Sequence, residues 1–181
     1  MNTPLLTPTP ASRMDKVAMA VAYVISAMSD DPDTQLGAVV IDCHQNILSW
    51  GWNRLPNGLA HTCTRTQRLP QGADPETVGH NGKYTFIEHA ERDTAQRAAR
   101  KGISLDGATM YLALIPCMDC ARCLIGSGIR ELVLDYDFSE NYRKRGSRWE
   151  RDFRLVIDIL EEAGITVRAI HGADIKNGLT A

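Results

Sequence analysis

ATMYLALIPCMDCARCLIGSGIRELVLDY, residues Ala108–Tyr136, decides how this chain folds. Ala108–Ile115 is an almost unbroken apolar run of strand length. Pro116 suits a helix start, Cys117–Ile125 reads as a short helix, and Gly126 and Gly128 end it. Arg130–Tyr136, RELVLDY, is a second strand. Strand, helix, strand in that order calls for a right-handed crossover and two neighbouring parallel strands.

Working downstream, Ser139–Ser147, SENYRKRGS, is basic and polar and reads as a connection. Arg148–Ala163 is an amphipathic helix with Trp149, Phe153, Val156 and Leu160 on one face. Gly164 ends it, and Ile165–Ile170 is a last strand. Upstream, a helix over Glu88–Lys101 stops at Gly102. Before it, residues 55–84 read as a long loop, of the kind that serves as a lid, a binding loop or a plain surface excursion. Leu36–Asp42 and Asn46–Asn53 form a hairpin joined by CHQ, and Ser12–Ser29 is a first helix. The expected class is α/β, a three-layer α/β/α sandwich on a mixed sheet of about five strands. A single domain over 12–171 is expected, with a flexible tail at 1–11 and a C-terminal tail at 172–181.

Composition agrees with a packed core, at 44% apolar and 23% charged residues. The net charge of -2 argues against binding long nucleic acid. No apolar run is long enough for a membrane span, and MNTPLLTPTPAS lacks the pattern of a secretory signal. Five cysteines, three of them within Cys117–Cys123, make a poor disulfide framework and point to metal or redox chemistry in the cytoplasm.

Cys117 and Cys120 sit three positions apart at a helix start, so both thiols face one side and the helix end favours their thiolates. Two thiolates at that spacing fit two corners of a Zn2+ tetrahedron. His89, also at the start of a helix, is the natural third ligand. Three protein ligands leave one corner open, the catalytic arrangement, where zinc brings the pKa of water to about 7. Glu91 then lies beside the metal without binding it and is placed to move protons. The combination predicts hydrolytic deamination of an amidine-like ring carbon.

Cys123 continues the cysteine spacing but reads as a small packed residue, and His61, Cys63 and His80 read as polar loop residues rather than a second zinc site. From the charge run Arg143, Lys144, Arg145 and Arg148, either solvated surface or a phosphate contact is expected, with Arg148 and Arg145 the substrate candidates. Tyr136 and Tyr142 are candidates for stacking on a base, with ordinary packing the alternative. Arg92, Asp93, Arg97 and Arg100 read as subunit contacts or solvated face.

His89-Ala90-Glu91 together with Pro116-Cys117-Met118-Asp119-Cys120 matches the H-x-E and P-C-x-x-C signature of zinc deaminases. With DPDTQLGA (Asp31–Ala38), GWNRLP (Gly51–Pro56) and SGIREL (Ser127–Leu132), the chain resembles the cytidine deaminase superfamily, and within it the deoxycytidylate (dCMP) deaminases, over most of Ala27–Val167. The resemblance implies that His89, Cys117 and Cys120 hold zinc and that Glu91 shuttles protons. It also implies that the Ala90 N–H holds the pyrimidine carbonyl and that Asn53 contacts the sugar. Arg54 and Trp52 stand where the family has glycine and tyrosine. The implied reaction turns dCMP, or a base-modified dCMP, into dUMP and ammonia, in a homo-oligomer. CMP, cytidine, guanine or a pterin as substrate, or a non-catalytic zinc module, are the alternatives.

Overall fold

The computed structural model describes residues 4–177. In chain order the elements are α1 (Arg13–Ser26), β1 (Gly37–Ile41), β2 (Ile47–Trp52), α2 (Cys63–Thr66), α3 (Pro75–Val78), α4 (Lys83–Phe86) and α5 (Ala90–Arg100). Then follow β3 (Thr109–Leu112), α6 (Met118–Gly126), β4 (Glu131–Asp135), α7 (Tyr136–Arg143), α8 (Ser147–Glu162), β5 (Thr166–Ile170) and α9 (Gly172–Asn177). The five strands lie in the order β2-β1-β3-β4-β5. β1 is antiparallel to both β2 and β3, whereas β3, β4 and β5 are parallel. Four strands therefore point one way with β1 reversed, and the crossovers β2-α5-β3 and β3-α6-β4 both leave from the same edge of the sheet.

Alternation along the strands builds a core on each face. Val39, Ile41, Tyr111, Val133 and Ile170 pack with Ala18, Met19, Ala22 and Ile25 of α1. Their neighbours Ala38, Val40, Met110, Leu112, Leu132 and Leu134 join Leu124, Val156 and Leu160 from α6 and α8 on the other side. Being covered on both faces, the inner strands β1, β3 and β4 are buried almost throughout, as the apolar run Ala108–Ile115 reflects. α5 approaches β2 closely because Gly51 has no side chain: a Cβ there would lie 2.7 Å from the Thr94 nitrogen.

Three segments differ from expectation. The stretch read as an N-terminal tail is pinned from Leu6, which is buried, to Thr9, whose N–H donates to the Ala169 carbonyl at 2.8 Å. β5 is an edge strand with unpaired backbone groups, and this segment satisfies some of them. The stretch read as a C-terminal tail contains α9, with Ile175 buried in the α1 core. The remainder of both stretches, 1–3 and 178–181, lies outside the described residues. Finally, the polar connection after β4 is the helix α7, capped by Asp135, which accepts the Phe138 N–H at 2.9 Å. Its polarity is misleading, since Glu140 and Arg143 are buried as a pair 2.7 Å apart.

The long connection 55–86 contains α2, α3 and α4 and is tied down by charge. The buried Lys83 ammonium sits 2.6 Å from Asp31 and 3.1 Å from Asp33, and Arg68 reaches Asp33 at 2.8 Å. Removing one partner of a buried pair strands the other charge, at a cost of roughly 3–5 kcal/mol. Lys83→Met is accordingly expected to lower the melting temperature by about 10 °C in a domain of this size, as calorimetry would show.

Candidate active site

His89 and Cys117 are the N-cap residues of α5 and α6, and neither spends its side chain on capping. Both helices begin at the same sheet edge, so the two side chains meet. The approach to α5 is fixed by backbone pairing. Arg54 N–H donates to the Glu88 carbonyl at 2.9 Å, and Glu88 N–H returns a bond to Arg54 at 2.7 Å. Asp93 accepts the Trp52 N–H at 3.2 Å, and Ser49 Oγ donates to the Thr94 carbonyl at 2.8 Å.

Cys117 Sγ lies 3.5 Å from both His89 Nδ1 and Cys120 Sγ, and Cys120 Sγ lies 3.4 Å from His89 Nδ1. A tetrahedral zinc site with ordinary Zn–S and Zn–N bonds has edges of about 3.6–3.8 Å. The triangle is slightly tight, and the donor set fits zinc. It is the one group of three His, Cys, Asp or Glu side chains among the described residues close enough to hold a metal. The hydrogen bond with Cys120 and that with His89 hold the Cys117 thiol well below the ordinary cysteine range, which favours its thiolate. Cys120 is raised, first by its hydrogen bond with Cys117 and then by burial. His89 is raised, chiefly by Cys117.

Glu91 lines the same cavity as His89 and Cys117. It is buried, and its Oε2 is the one buried side-chain oxygen or nitrogen without a hydrogen-bond partner among the described residues. Burial raises its pKa, which favours the proton-carrying form. An orphaned carboxylate oxygen beside a metal-ligand triangle leaves room for a water and a proton to pass.

The cavity is about 500 Å³, and its lining combines polar Asp31, Thr34, Asn53 and Lys83 with Met118, Tyr142, Trp149 and Phe153. Among the expected substrate residues, Asn53, Tyr142 and Arg148 line it. Asn53 Nδ2 donates to the Thr34 carbonyl at 2.8 Å. The Ala90 N–H, expected to be open for a pyrimidine carbonyl, instead donates to Asn53 Oδ1 at 2.9 Å. Ala90 heads α5, where N–H groups lack a partner within the helix, and the asparagine supplies one. Tyr142 is buried and packs edge-on to Trp149. Arg145 is not part of the wall, and its guanidinium lies 4.3 Å from the centre of the Tyr142 ring. Arg143 is removed from phosphate binding by Glu140 and Glu150.

Cys123 bonds with Ser127 away from the triangle. His61 faces Asp30 at 3.3 Å, and His80 Nδ1 accepts the Gly82 N–H, so neither joins Cys63. Arg97, Arg100 and Arg54 instead line a second depression with Trp52, where Arg97 stacks 4.1 Å from the Trp52 ring and pairs with Asp93. Sequence reasoning missed Lys83 and Asp31 as cavity residues. Asp31 opens the stretch DPDTQLGA, but nothing local joins it to Lys83, 52 positions away. It also read Trp149 and Phe153 purely as a core face, which the aromatic periodicity of α8 cannot distinguish from a cavity wall.

The family model described as "Cytidine and deoxycytidylate deaminase zinc-binding region" matches residues 12–135. The deoxycytidylate deaminase of Enterobacteria phage T4 is 32% identical over 177 residues, covering 82% of this chain and 86% of the phage protein. That of Homo sapiens is 30% identical over 119 residues, covering 66% of this chain and 62% of the human protein. Among solved structures, the dCMP deaminase of cyanophage S-TIM5 in complex with dCMP and dUMP superposes with a TM-score of 0.64 at 22% identity. That match covers 90% of this chain and 100% of the other.

Proposed function

This chain belongs to the cytidine and deoxycytidylate deaminase family, and we propose that it hydrolyses dCMP to dUMP and ammonia at a zinc centre held by His89, Cys117 and Cys120. The observation that carries this reading is the ligand triangle with the unpartnered Glu91 oxygen in the same cavity. Zinc bound there supplies a Lewis acid that makes water nucleophilic near neutral pH. Glu91 accepts a proton from the attacking water and delivers it to the ring nitrogen beside C4. The second proton goes to the amino group, the C4–N bond breaks, and ammonia leaves with the C4 carbonyl formed. Burial, which holds the Glu91 pKa up, suits it to both halves of that exchange.

Asn53 keeps one amide N–H and one lone pair beyond its bonds to Thr34 and Ala90, enough to address a sugar hydroxyl. Arg148, exposed at the cavity, is the cation for the 5′-phosphate. Arg148→Ala is expected to raise KM for dCMP about tenfold while leaving deoxycytidine turnover unchanged. Steady-state kinetics on the two substrates check this.

No helix among the described residues is long and apolar enough to cross a membrane, and all five cysteines are free, which supports a cytoplasmic enzyme. One continuous sheet supports a single catalytic domain, and exposed Val17 and Val24 on α1, with Met28 just beyond its end, support a homo-oligomer. The test is ammonia release from a panel of dCMP, CMP, deoxycytidine and guanine. dCMP is expected to be the best substrate, and preference for guanine or for the free nucleoside would overturn the assignment.

A further inference from the structure

Lys83 is a buried cation in the cavity wall, and a phosphate contact is the first role such a group suggests. Its hydrogen bonds argue otherwise. The ammonium donates to both oxygens of Asp31, Oδ1 at 2.6 Å and Oδ2 at 2.8 Å, and forms a further ion pair with Asp33 Oδ2 at 3.1 Å. Its charge is answered by two carboxylates and its side chain is buried, so its effect on the substrate passes through other residues.

A continuous chain of bonds leads from it to the reacting centre. Asp31 Oδ1, besides holding Lys83, accepts the N–H groups of Asp33 at 2.9 Å and Thr34 at 3.1 Å, and so shapes the turn after α1. That turn presents the Thr34 carbonyl to Asn53 Nδ2, and Asn53 Oδ1 receives the Ala90 N–H. Ala90 stands between His89 and Glu91. Each of Asp31, Thr34, Asn53 and Lys83 lines the cavity. A buried ion pair adds little net stability compared with an apolar pair of the same size. What it supplies is direction, since only one placement of Asp31 satisfies both the ammonium and the turn.

We propose that Lys83 is a positioning residue: by locking Asp31 it sets the amide plane of Asn53, and through Asn53 both the sugar-facing groups and the Ala90 end of α5. This rests on the deaminase reading for its kinetic consequence but not for its structural one. Lys83 also belongs to α4, so the same lock seats the 55–86 connection beside the cavity.

The test uses Asp31→Asn together with Lys83→Met in the full chain, because Lys83→Met alone leaves a buried charge unpaired. Asn at 31 keeps an oxygen for the turn N–H groups while removing both charges. The double variant is expected to fold and to bind zinc as the parent does. Hydrogen exchange at the Ala90 amide, followed by NMR, is expected to quicken about tenfold relative to amides in the middle of α5. In the same variant kcat/KM for dCMP is expected to fall about 10- to 100-fold. Adding Asn53→Ala is expected to cost little more, whereas in the parent it costs the full amount. Unchanged Ala90 exchange, unchanged kcat/KM, or losses that multiply independently with Asn53→Ala would each overturn the proposal. So would failure of the double variant to fold, which would make the pair a structural keystone alone. If the parent itself does not turn over dCMP, the functional reading fails, and Ala90 exchange still decides the role of Lys83.

Discussion

Glu91→Gln is expected to slow dCMP deamination by about a thousandfold or more while zinc content stays at the parent level. The geometry gives two reasons. Glu91 is not one of the three close-packed donor atoms, so an amide in its place leaves the metal triangle intact. The amide, however, cannot carry a proton, and the reaction needs one moved from water to ring and another to the departing amine. Stability separates this from general damage. Glu91 is buried with an unpartnered oxygen, and a neutral amide costs less to bury than a carboxylate. The variant should therefore melt at the parent temperature or above it, as expected where a site holds strain for function. A variant that retained parental turnover would remove Glu91 from the mechanism, and one that lost its zinc would make it a ligand.

Loss of the metal has the second large effect, and it reaches both activity and stability. Cys117→Ser or Cys120→Ala is expected to abolish zinc binding and reduce turnover to background. The triangle joins the start of α5 to the start of α6, so zinc also bridges two crossovers of the sheet. A ligand present at a thousandfold excess over its Kd stabilises the folded state by roughly 4 kcal/mol. In a domain of this size that is about 8–16 °C. Treatment with a strong chelator should lower the melting temperature by about that amount, and added zinc should restore both temperature and turnover. If chelation left both unchanged, the His89–Cys117–Cys120 group would not be a zinc site.

Elements whose pattern is local were legible in the sequence. The proline before Cys117 and the glycines after Ile125 place α6 and β4 within a residue of where the structure has them, and the apolar run Ala108–Ile115 finds β3 but runs three residues past its end at Leu112. The ligand triangle was legible because both helix starts carry their chemistry in adjacent residues. What stayed hidden depends on distant partners. α7 looks like a solvated connection because Glu140 and Arg143 neutralise each other in the interior. The N-terminal segment is held by burial of Leu6 and by pairing with β5, 160 positions away, as the Thr9 hydroxyl bond to Ala169 shows. The Ala90 N–H looked free because nothing local reveals that Asn53, 37 positions earlier, reaches it. Arg148 and Arg145 were both candidates in the charge run, and the structure puts Arg148 on the cavity wall and Arg145 outside it.

Hydrolysis of dCMP at the His89–Cys117–Cys120 centre puts an oxygen from solvent into the product. It is tested most directly by incubating the zinc-loaded chain with dCMP in heavy-oxygen water and analysing the nucleotide by mass spectrometry. The expected product is dUMP carrying one solvent oxygen at C4, with one ammonia released for each dUMP formed. Recovery of unchanged dCMP from zinc-loaded, folded protein would contradict it.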